Sequence, residues 1–305
     1  MDFNGNKGFR LLAIYERLNK GETLNKSNLA QEFQVTEKTI QRDIEDLRTY
    51  FSEMYLSAKE ENSIQYDRKQ GGYYLIHMER EWLTSTEVLA ICKVLLESRA
   101  FCKEEMNTLI AKLLNQVTPS ASKQVIDIIR NEQFCYVPLH HGKELLDSIW
   151  ELSKCIRKML VTEISYMRKD GVCRTHLIKP VAIMFSEYYF YVIAYMADGK
   201  KDYPTVFRID RIKEFKSTKE TFYIPYKDKF SDGEFRNRVQ FMYSGELRRV
   251  RFQYKGPSIE SVLDRLPTAE VLREIDGVYE VQVEVYGNGI DMWIRSQGDM
   301  ILSLS

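Results

Sequence analysis

Apolar positions recur every three to four residues along two short segments between Asn25 and Arg48, and every second residue in the stretch that begins at Ser63. In the first segment Leu29, Ala30 and Phe33 share a face, and Asn25 stands where an N-cap belongs. In the second, Ile40, Ile44 and Leu47 form one stripe and Thr36 takes the N-cap position. Gln34-Val35 form the turn between them, with Val35 packed between the helices. An earlier helix carries Leu11, Leu12, Ile14, Tyr15 and Leu18, and Gly21 ends it. The polar residues 1–7 ahead of it are expected to fray. After Tyr50 the period changes: Ser63–Tyr66 and Tyr73–Ile76 alternate as strands around the turn Asp67-Arg68-Lys69-Gln70-Gly71-Gly72. Three helices and a basic hairpin predict a winged helix-turn-helix over residues 1–77.

Residues 78–160 return to helical spacing, from a cap at Thr84 or Ser85, through a break at Pro119, to a helix carrying Leu145, Leu146, Ile149, Trp150, Leu152 and Ile156. This connector reads as a spacer and packing layer, with dimerisation through its apolar faces as a second reading. From Val161 the period is two again. Ile164, Tyr166 and Arg168 share one side, Asp170-Gly171 marks a hairpin, and strands follow with an interruption at Pro180. The run EYYFYVIAYM is apolar or aromatic on both sides, as a strand covered on two faces would be, in a barrel or a sandwich. After Asp198-Gly199 the stretch TVFRIDRI reads as a returning strand, with Phe207 and Ile209 on one side and Arg208 and Asp210 on the other. Residues 161–224 thus form a β domain. Residues 225–305 open with a polar connector and continue in the order βαββα, with Val250, Phe252, Tyr254 and the row Tyr279, Val281, Val283, Val285 turned inward. That order predicts a small ferredoxin-like unit. The expected fold class is multidomain α+β.

Composition narrows the function classes. The chain has 305 residues, 44% hydrophobic and 12% aromatic, enough for several cores and too apolar for disorder. With 44 basic and 44 acidic residues, contact with nucleic acid must come from local patches. The five cysteines are odd in number and show no CxxC spacing, which fits reduced thiols in a cytoplasm. No signal peptide and no apolar run of membrane-spanning length is visible.

Candidate chemistry gathers at two places. On the helix after Thr36, Lys38, Gln41, Arg42 and Glu45 point away from the apolar stripe. Gln pairs with adenine, and Lys or Arg with guanine or phosphate, so this face suits a DNA major groove. Arg68 and Lys69 at the hairpin tip could reach the backbone or minor groove. In the β domain, Tyr166, Arg168, His176, Tyr191, Arg208 and Arg211 combine rings that stack on bases with guanidinium groups that bind phosphate. The opposing reading makes the tyrosines barrel core and pairs the arginines with Asp210 and Glu214. Arg248, Arg249 and Arg251 form a further basic cluster, which joins an effector site in a dimer or remains a solvated strand face. His140-His141 lacks Cys, Asp or Glu at ligand spacing, so neither a metal nor a cofactor is expected. No P-loop, paired carboxylates or Ser-His-Asp signature supports an enzyme. The alternatives are a nucleotide-processing enzyme and a protein–protein adaptor with an inert winged helix.

The helix-turn-helix resembles the N-terminal reader of bacterial WYL-domain transcription factors, in which an (S/T)xxTxxRD(I/L)xxL helix precedes a GGYxL wing. Thr36, Thr39, Arg42, Asp43, Ile44 and Leu47 match that pattern. The resemblance implies that Arg42 contacts phosphate, that Lys38, Thr39 and Gln41 lie nearest the bases, and that Asp43 is structural, orienting Arg42 or another side chain. ISYMRKDG, IKPVAIMF, YFYVIAY and FRIDRIKEF resemble the WYL domain, an Sm-like β-barrel. Its naming tripeptide stands here as Phe190-Tyr191-Val192, and the element at Phe207–Ile212 is intact. Pro204-Thr205-Val206 replaces the Arg that many relatives carry before it, which puts one anion contact in doubt. The resemblance implies a ligand-responsive regulator that binds a double-stranded operator. It senses a nucleotide or single-stranded nucleic acid, and its C-terminal extension contributes to a homodimer.

Overall fold

The computed structural model describes residues 6–19, 21–54, 63–76, 83–199, 201–225 and 230–304. The polar start of the chain, the junction near residue 77 and part of the connector after residue 225 lie outside the described residues. The chain forms two compact units, Met1–Glu97 with Lys103–Val137, and Ser98–Cys102 with Pro138–Ser305.

The first unit begins with helices α1 (Lys7–Asn19), α2 (Lys26–Glu32) and α3 (Glu37–Met54), then the antiparallel strands β1 (Ser63–Asp67) and β2 (Gly72–Ile76). Ile14, Leu18, Leu29, Ile40, Ile44, Leu47, Ile64 and Leu75 bury into one core, with Val35 packed against it. Gly21, at φ +77, closes α1 through Gly21 N–H to the Leu18 carbonyl. The Asn25 carboxamide oxygen caps α2 by accepting from the N–H groups of Ser27 and Asn28 at 2.9 and 3.2 Å. Its Nδ2 donates to the Gly71 carbonyl at 2.8 Å. One residue therefore starts the helix and anchors the hairpin. The Thr36 hydroxyl caps α3 through Thr39 N–H. Leu24 adds a third strand position to the hairpin by exchanging both backbone hydrogen bonds with Tyr73.

Helices α4 (Ser85–Ser98), α5 (Lys103–Leu114) and α6 (Pro119–Phe134) follow. Thr84 and Glu87 form a reciprocal capping box at α4, which assigns the cap to Thr84. Pro119 opens α6 at its first turn, behind the Thr118 cap. It starts that helix, where its missing N–H costs nothing.

In the second unit, α7 (Leu146–Arg157) sets Leu152 into a core with Ile164, Ile178, Val192, Ala194 and Phe207. The helical stretch expected over 78–160 thus divides, α4–α6 clustering with the first unit and α7 with the second. Strands β3 (Leu160–Met167), β4 (Cys173–Ser186), β5 (Tyr189–Met196), β6 (Thr205–Arg208) and β7 (Ile212–Thr221) form an antiparallel sheet ordered β6-β5-β4-β3-β7. Its edges, β6 and β7, are consecutive in the chain and joined only by a 3-10 turn at Ile209–Arg211. A flat sheet of this order would hold its edge strands roughly 19 Å apart. Such a turn advances only roughly 8 Å. The sheet must therefore roll up, which is the barrel. Two strand expectations need correction here. TVFRIDRI is not one strand, because the turn interrupts it where the chain crosses between edges. Pro180 does not interrupt β4, because a register shift between Pro180 and Ala182 absorbs it as a bulge.

Three consecutive residues of β5, Val192, Ile193 and Ala194, are all fully buried, so both faces are covered. Val192 and Ala194 face the barrel core. Ile193 faces a second cluster with Phe235, Val239 and Met242. Phe235 lies on helix α8 (Asp232–Arg238), so the region read as a polar connector covers the outer face of the barrel. The chain ends in β8 (Leu247–Tyr254), α9 (Glu260–Arg265), β9 (Ala269–Ile275), β10 (Val278–Tyr286), α10 (Gly289–Ser296) and β11 (Ile301–Leu304). The antiparallel order β11-β8-β10-β9 is the ferredoxin-like arrangement, completed by the short final strand. Ile290, Trp293 and Ile294 of α10 pack on Val281, Val283 and Val285.

Candidate nucleic-acid interface and effector face

The cations of the winged helix fall into two groups. Lys7 pairs with Asp46, Arg10 with Asp43, Arg17 with Glu22 and Glu32, and Lys26 with Glu37, while Arg48 donates to the Ile64 carbonyl. Lys38, Arg42, Arg68 and Lys69 are exposed, and their side chains have no ion pair or hydrogen bond among the described residues. These are the residues on the outer face of α3 and at the hairpin tip. The tip is shaped by Asp67, whose Oδ1 accepts from the N–H groups of Lys69 and Gln70 at 2.7 and 3.3 Å. That Asx-type turn leaves both cationic side chains in solvent.

Not every residue of the predicted reading face is free. The Thr36 and Thr39 hydroxyls lie 3.0 Å apart, so both serve the start of α3. Gln41 Oε1 accepts from the Tyr73 phenol at 2.6 Å, and its Nε2 donates to Glu45 at 3.1 Å. Asp43 is 1% exposed and bound to Arg10, so the side chain it orients is Arg10 and not Arg42. Sequence reasoning missed Tyr73 and Arg48, which tie α3 to the hairpin. The Tyr73 ring meets Tyr66 edge-on at 5.1 Å and the Arg48 guanidinium at 5.7 Å. The only signal was the aromatic pair in alternating strands.

The residues predicted for an effector separate into two neighbourhoods. On the outer side of β5 and β6, Tyr191 is the strand partner of Arg208. The Arg208 guanidinium stacks on the Tyr189 ring at 3.3 Å and binds Asp210 at two points, 2.9 and 2.6 Å. Burial opposes the Arg208 charge, and the hydrogen bonds and charge of Asp210 raise its pKa above the ordinary value. Burial pushes the Tyr191 phenol up to about 12, with Arg208 pulling the other way. Arg208 N–H reaches the Tyr166 hydroxyl at 3.4 Å. Tyr166 and His176 meet Phe207, at 5.1 and 5.7 Å. His176 lies beside Arg174 and Arg168, and burial first, then those charges, lowers its pKa. Arg168 pairs with Asp170 at 3.3 Å. Arg211 is half-buried, with no ion pair or hydrogen bond among the described residues, so the expected alternative pairing with Glu214 does not form. His141, Lys143 and Tyr189 were missed. Lys143 Nζ donates to the Asp210 carbonyl at 2.7 Å, and burial lowers the pKa of His141. Tyr189 was legible as the same-face neighbour of Tyr191, two residues away.

On the same outer face lies a cavity of about 220 Å³, lined by Tyr195, Tyr203, Phe230, Phe235 and Tyr286 together with the carboxylate residues Asp202 and Glu234. Phe230, Phe235 and Tyr286 share a cluster with Tyr191. The arginines Arg248, Arg249 and Arg251 are engaged within the C-terminal unit: Arg248 with Asp291 of α10, Arg249 with Glu284 and Arg251 with Gln282 of β10. Among the described residues no group of three His, Cys, Asp or Glu side chains could hold a metal ion. No helix among them is long and apolar enough to cross a membrane. All five cysteines are free thiols.

Residues 10–73 match the HTH domain family and residues 148–217 the WYL domain family. No curated protein matches the chain. Among solved structures, proteasome accessory factor B/C of Arthrobacter aurescens is 14% identical, covering 98% of this chain and 46% of its own, at a TM-score of 0.30. A CRISPR Cas-related protein is also 14% identical, covering 97% and 78%, at a TM-score of 0.33. This chain spans under half the length of the first of these.

Proposed function

From a chain that carries a helix-turn-helix domain and a WYL domain, the pairing found in WYL-domain transcriptional regulators, we propose a ligand-responsive, sequence-specific DNA-binding regulator. One observation carries the DNA reading: the exposed cations without partners, Lys38, Arg42, Arg68 and Lys69, occupy the outer face of α3 and the wing tip, while the other described cations of the winged helix are engaged. An ordinary solvated helix face has no reason to sort its charges in this way. Phosphate contact by Arg42, Arg68 and Lys69, with Lys38, Thr39 and Gln41 nearest the bases and Thr36 at the start of the helix, seats α3 in the major groove.

The regulator works as a homodimer in the cytoplasm, with half-sites about one helical turn or more apart. Residues 1–77 read the operator, 78–160 connect, 161–224 sense and 225–305 join the protomers. The β9 edge supports that last role, since Val271, Leu272 and Ile275 are exposed there. The effector is a nucleotide or single-stranded nucleic acid, held by Tyr166, Arg168, His176, Tyr191, Arg208 and Arg211. The cavity is smaller than the roughly 300–1,000 Å³ usual for drug-sized ligands. It suits one base or a group of that size, with phosphates lying across the open face. Such an effector changes DNA affinity only if it prefers one arrangement of the two readers.

The test is recovery of genomic duplex fragments that co-purify with the full chain. Fragments sharing one motif, lost with the Gln41→Ala/Arg42→Ala pair, support the reading. If no duplex is retained at about 0.1 M salt, where several phosphate contacts still bind strongly, the reading fails. Duplex retained equally by the double variant would place the DNA contact outside these two residues, and a chain that retains no duplex would favour an adaptor with an inert winged helix.

A further inference from the structure

Gln41 is gripped at both ends of its amide. Glu45, one turn along α3, accepts from Nε2 at 3.1 Å, and Tyr73, on the wing strand β2, donates its phenol proton to Oε1 at 2.6 Å. A carboxylate only accepts, so the nitrogen must face Glu45 and the oxygen must face Tyr73. The amide cannot flip without setting two acceptors against each other. Each end keeps one unused site, an N–H on the nitrogen and a lone pair on the oxygen. Adenine offers N7 to accept and N6 to donate along its major-groove edge, and a glutamine amide in this orientation matches both. A reversed amide would offer them in the wrong order.

Tyr73 is itself immobilised. Its backbone exchanges hydrogen bonds with Leu24 at 2.7 and 2.8 Å, and only 7% of the residue is exposed. The ring is held between Tyr66 and Arg48, and Arg48 Nε also donates to the Ile64 carbonyl at 2.9 Å. We infer that Tyr73 and Glu45 clamp the Gln41 amide in one orientation, so that the wing takes part in base selection through Tyr73, a positioning residue that touches no DNA. The inference rests on the DNA-binding reading above. It deepens that reading by assigning an adenine preference to one residue and its enforcement to another element. A loose glutamine would lose rotamer freedom on binding and would tolerate other edges, whereas a clamped one has already lost that freedom in the free protein.

Selection from a randomised duplex pool by the full-length chain tests this. The wild type should select adenine at one position of each half-site, and Gln41→Ala should weaken that preference by about tenfold. Tyr73→Phe keeps the ring, the Leu24 exchange and the Arg48 contact. It should weaken the preference at that same position by about threefold or more, with affinity for the selected site otherwise close to wild type. A Tyr73→Phe variant that selects like the wild type overturns the clamp, as does one that loses affinity equally at every position. If the wild type and Gln41→Ala select the same motif, Gln41 is not the reader, and the inference fails while DNA binding stands. If the wild type enriches nothing, the DNA-binding reading fails and the clamp fails with it.

Discussion

Arg10 of α1 and Asp43 of α3 face each other almost fully enclosed, 6% and 1% exposed, joined through Nε–Oδ2 and through Nη2–Oδ1 at 3.1 Å. The hydrogen bond to Asp43 outweighs burial and raises the Arg10 pKa. The pair sets the angle between the first helix and the reading helix. Asp43→Ala would strand a buried guanidinium, at a cost of about 3–5 kcal/mol. Arg10→Met with Asp43→Leu removes both charges and should recover most of that loss. Urea denaturation of the wild type and the two variants measures it. A double variant no more stable than Asp43→Ala alone would contradict the argument.

The salt dependence of operator binding separates the two groups of cations. Lys38→Ala, Arg42→Ala, Arg68→Ala and Lys69→Ala should each weaken binding and lower the slope of log K against log salt by about one. Arg17→Ala should leave the slope unchanged, because Arg17 already neutralises Glu22 and Glu32. Fluorescence anisotropy at four salt concentrations would show it. An Arg17 variant that behaves like the others would remove the distinction on which the DNA reading rests.

What could be read from the sequence follows the range of the physics involved. The reading helix, the wing and the Asp170-Gly171 turn depend on neighbours a few residues apart, and the positive φ of Gly171 fits the expected hairpin. Asp43 could be recognised as structural from its place in the motif. Its partner could not, because Arg10 lies 33 residues away and only packing of the helices brings them together. The turn at Ile209–Arg211 escaped notice because Phe207 and Ile209 are both buried, as alternate residues of a strand would be. Barrel closure produced that burial, and closure is a property of the whole sheet. The same holds for Phe235, whose charged surroundings in the sequence hid a residue that covers Ile193.

Two histidines give the second unit a pH response with a definite sign. Burial lowers the pKa of His141, with Asp210 opposing and Arg208 and Lys143 adding to the shift, and burial also lowers that of His176. As pH falls below the ordinary value of 6.5, the unfolded chain takes up these protons before the folded chain does. Stability is therefore flat above that pH and falls below it. The loss is bounded by roughly 1.4 kcal/mol per histidine at about pH 5.5, less for their partial exposure. Chemical denaturation at about pH 7.5 and 5.5 should show the loss, and His141→Asn should reduce it. Equal stability at both pH values would refute the sign.

Arg208 and Arg211 separate the proposed effector contact from a role in folding. Arg208 holds Asp210, whose carboxylate side chain is only 4% exposed, so Arg208→Ala should cost about 3 kcal/mol or more by leaving a buried charge unpaired. Arg211 has no such partner among the described residues. Arg211→Ala should therefore change stability by no more than about 0.5 kcal/mol. If the effector is anionic, Arg211→Ala should still weaken binding of a fluorescent oligodeoxynucleotide or mononucleotide by about tenfold or more, since a charge-assisted contact contributes about 1.5–3 kcal/mol. Operator affinity without effector should stay at the wild-type value. Arg208→Lys, which keeps a charge against Asp210 but cannot bind it at two points or stack as a plane on Tyr189, should fall between the two in stability. Titration of each variant with the nucleotide probes, beside its denaturation midpoint, separates the roles. If Arg211→Ala binds every probe as the wild type does, the anionic effector is not held at this residue. If only the unstable Arg208 variants lose the response, the arginine is structural.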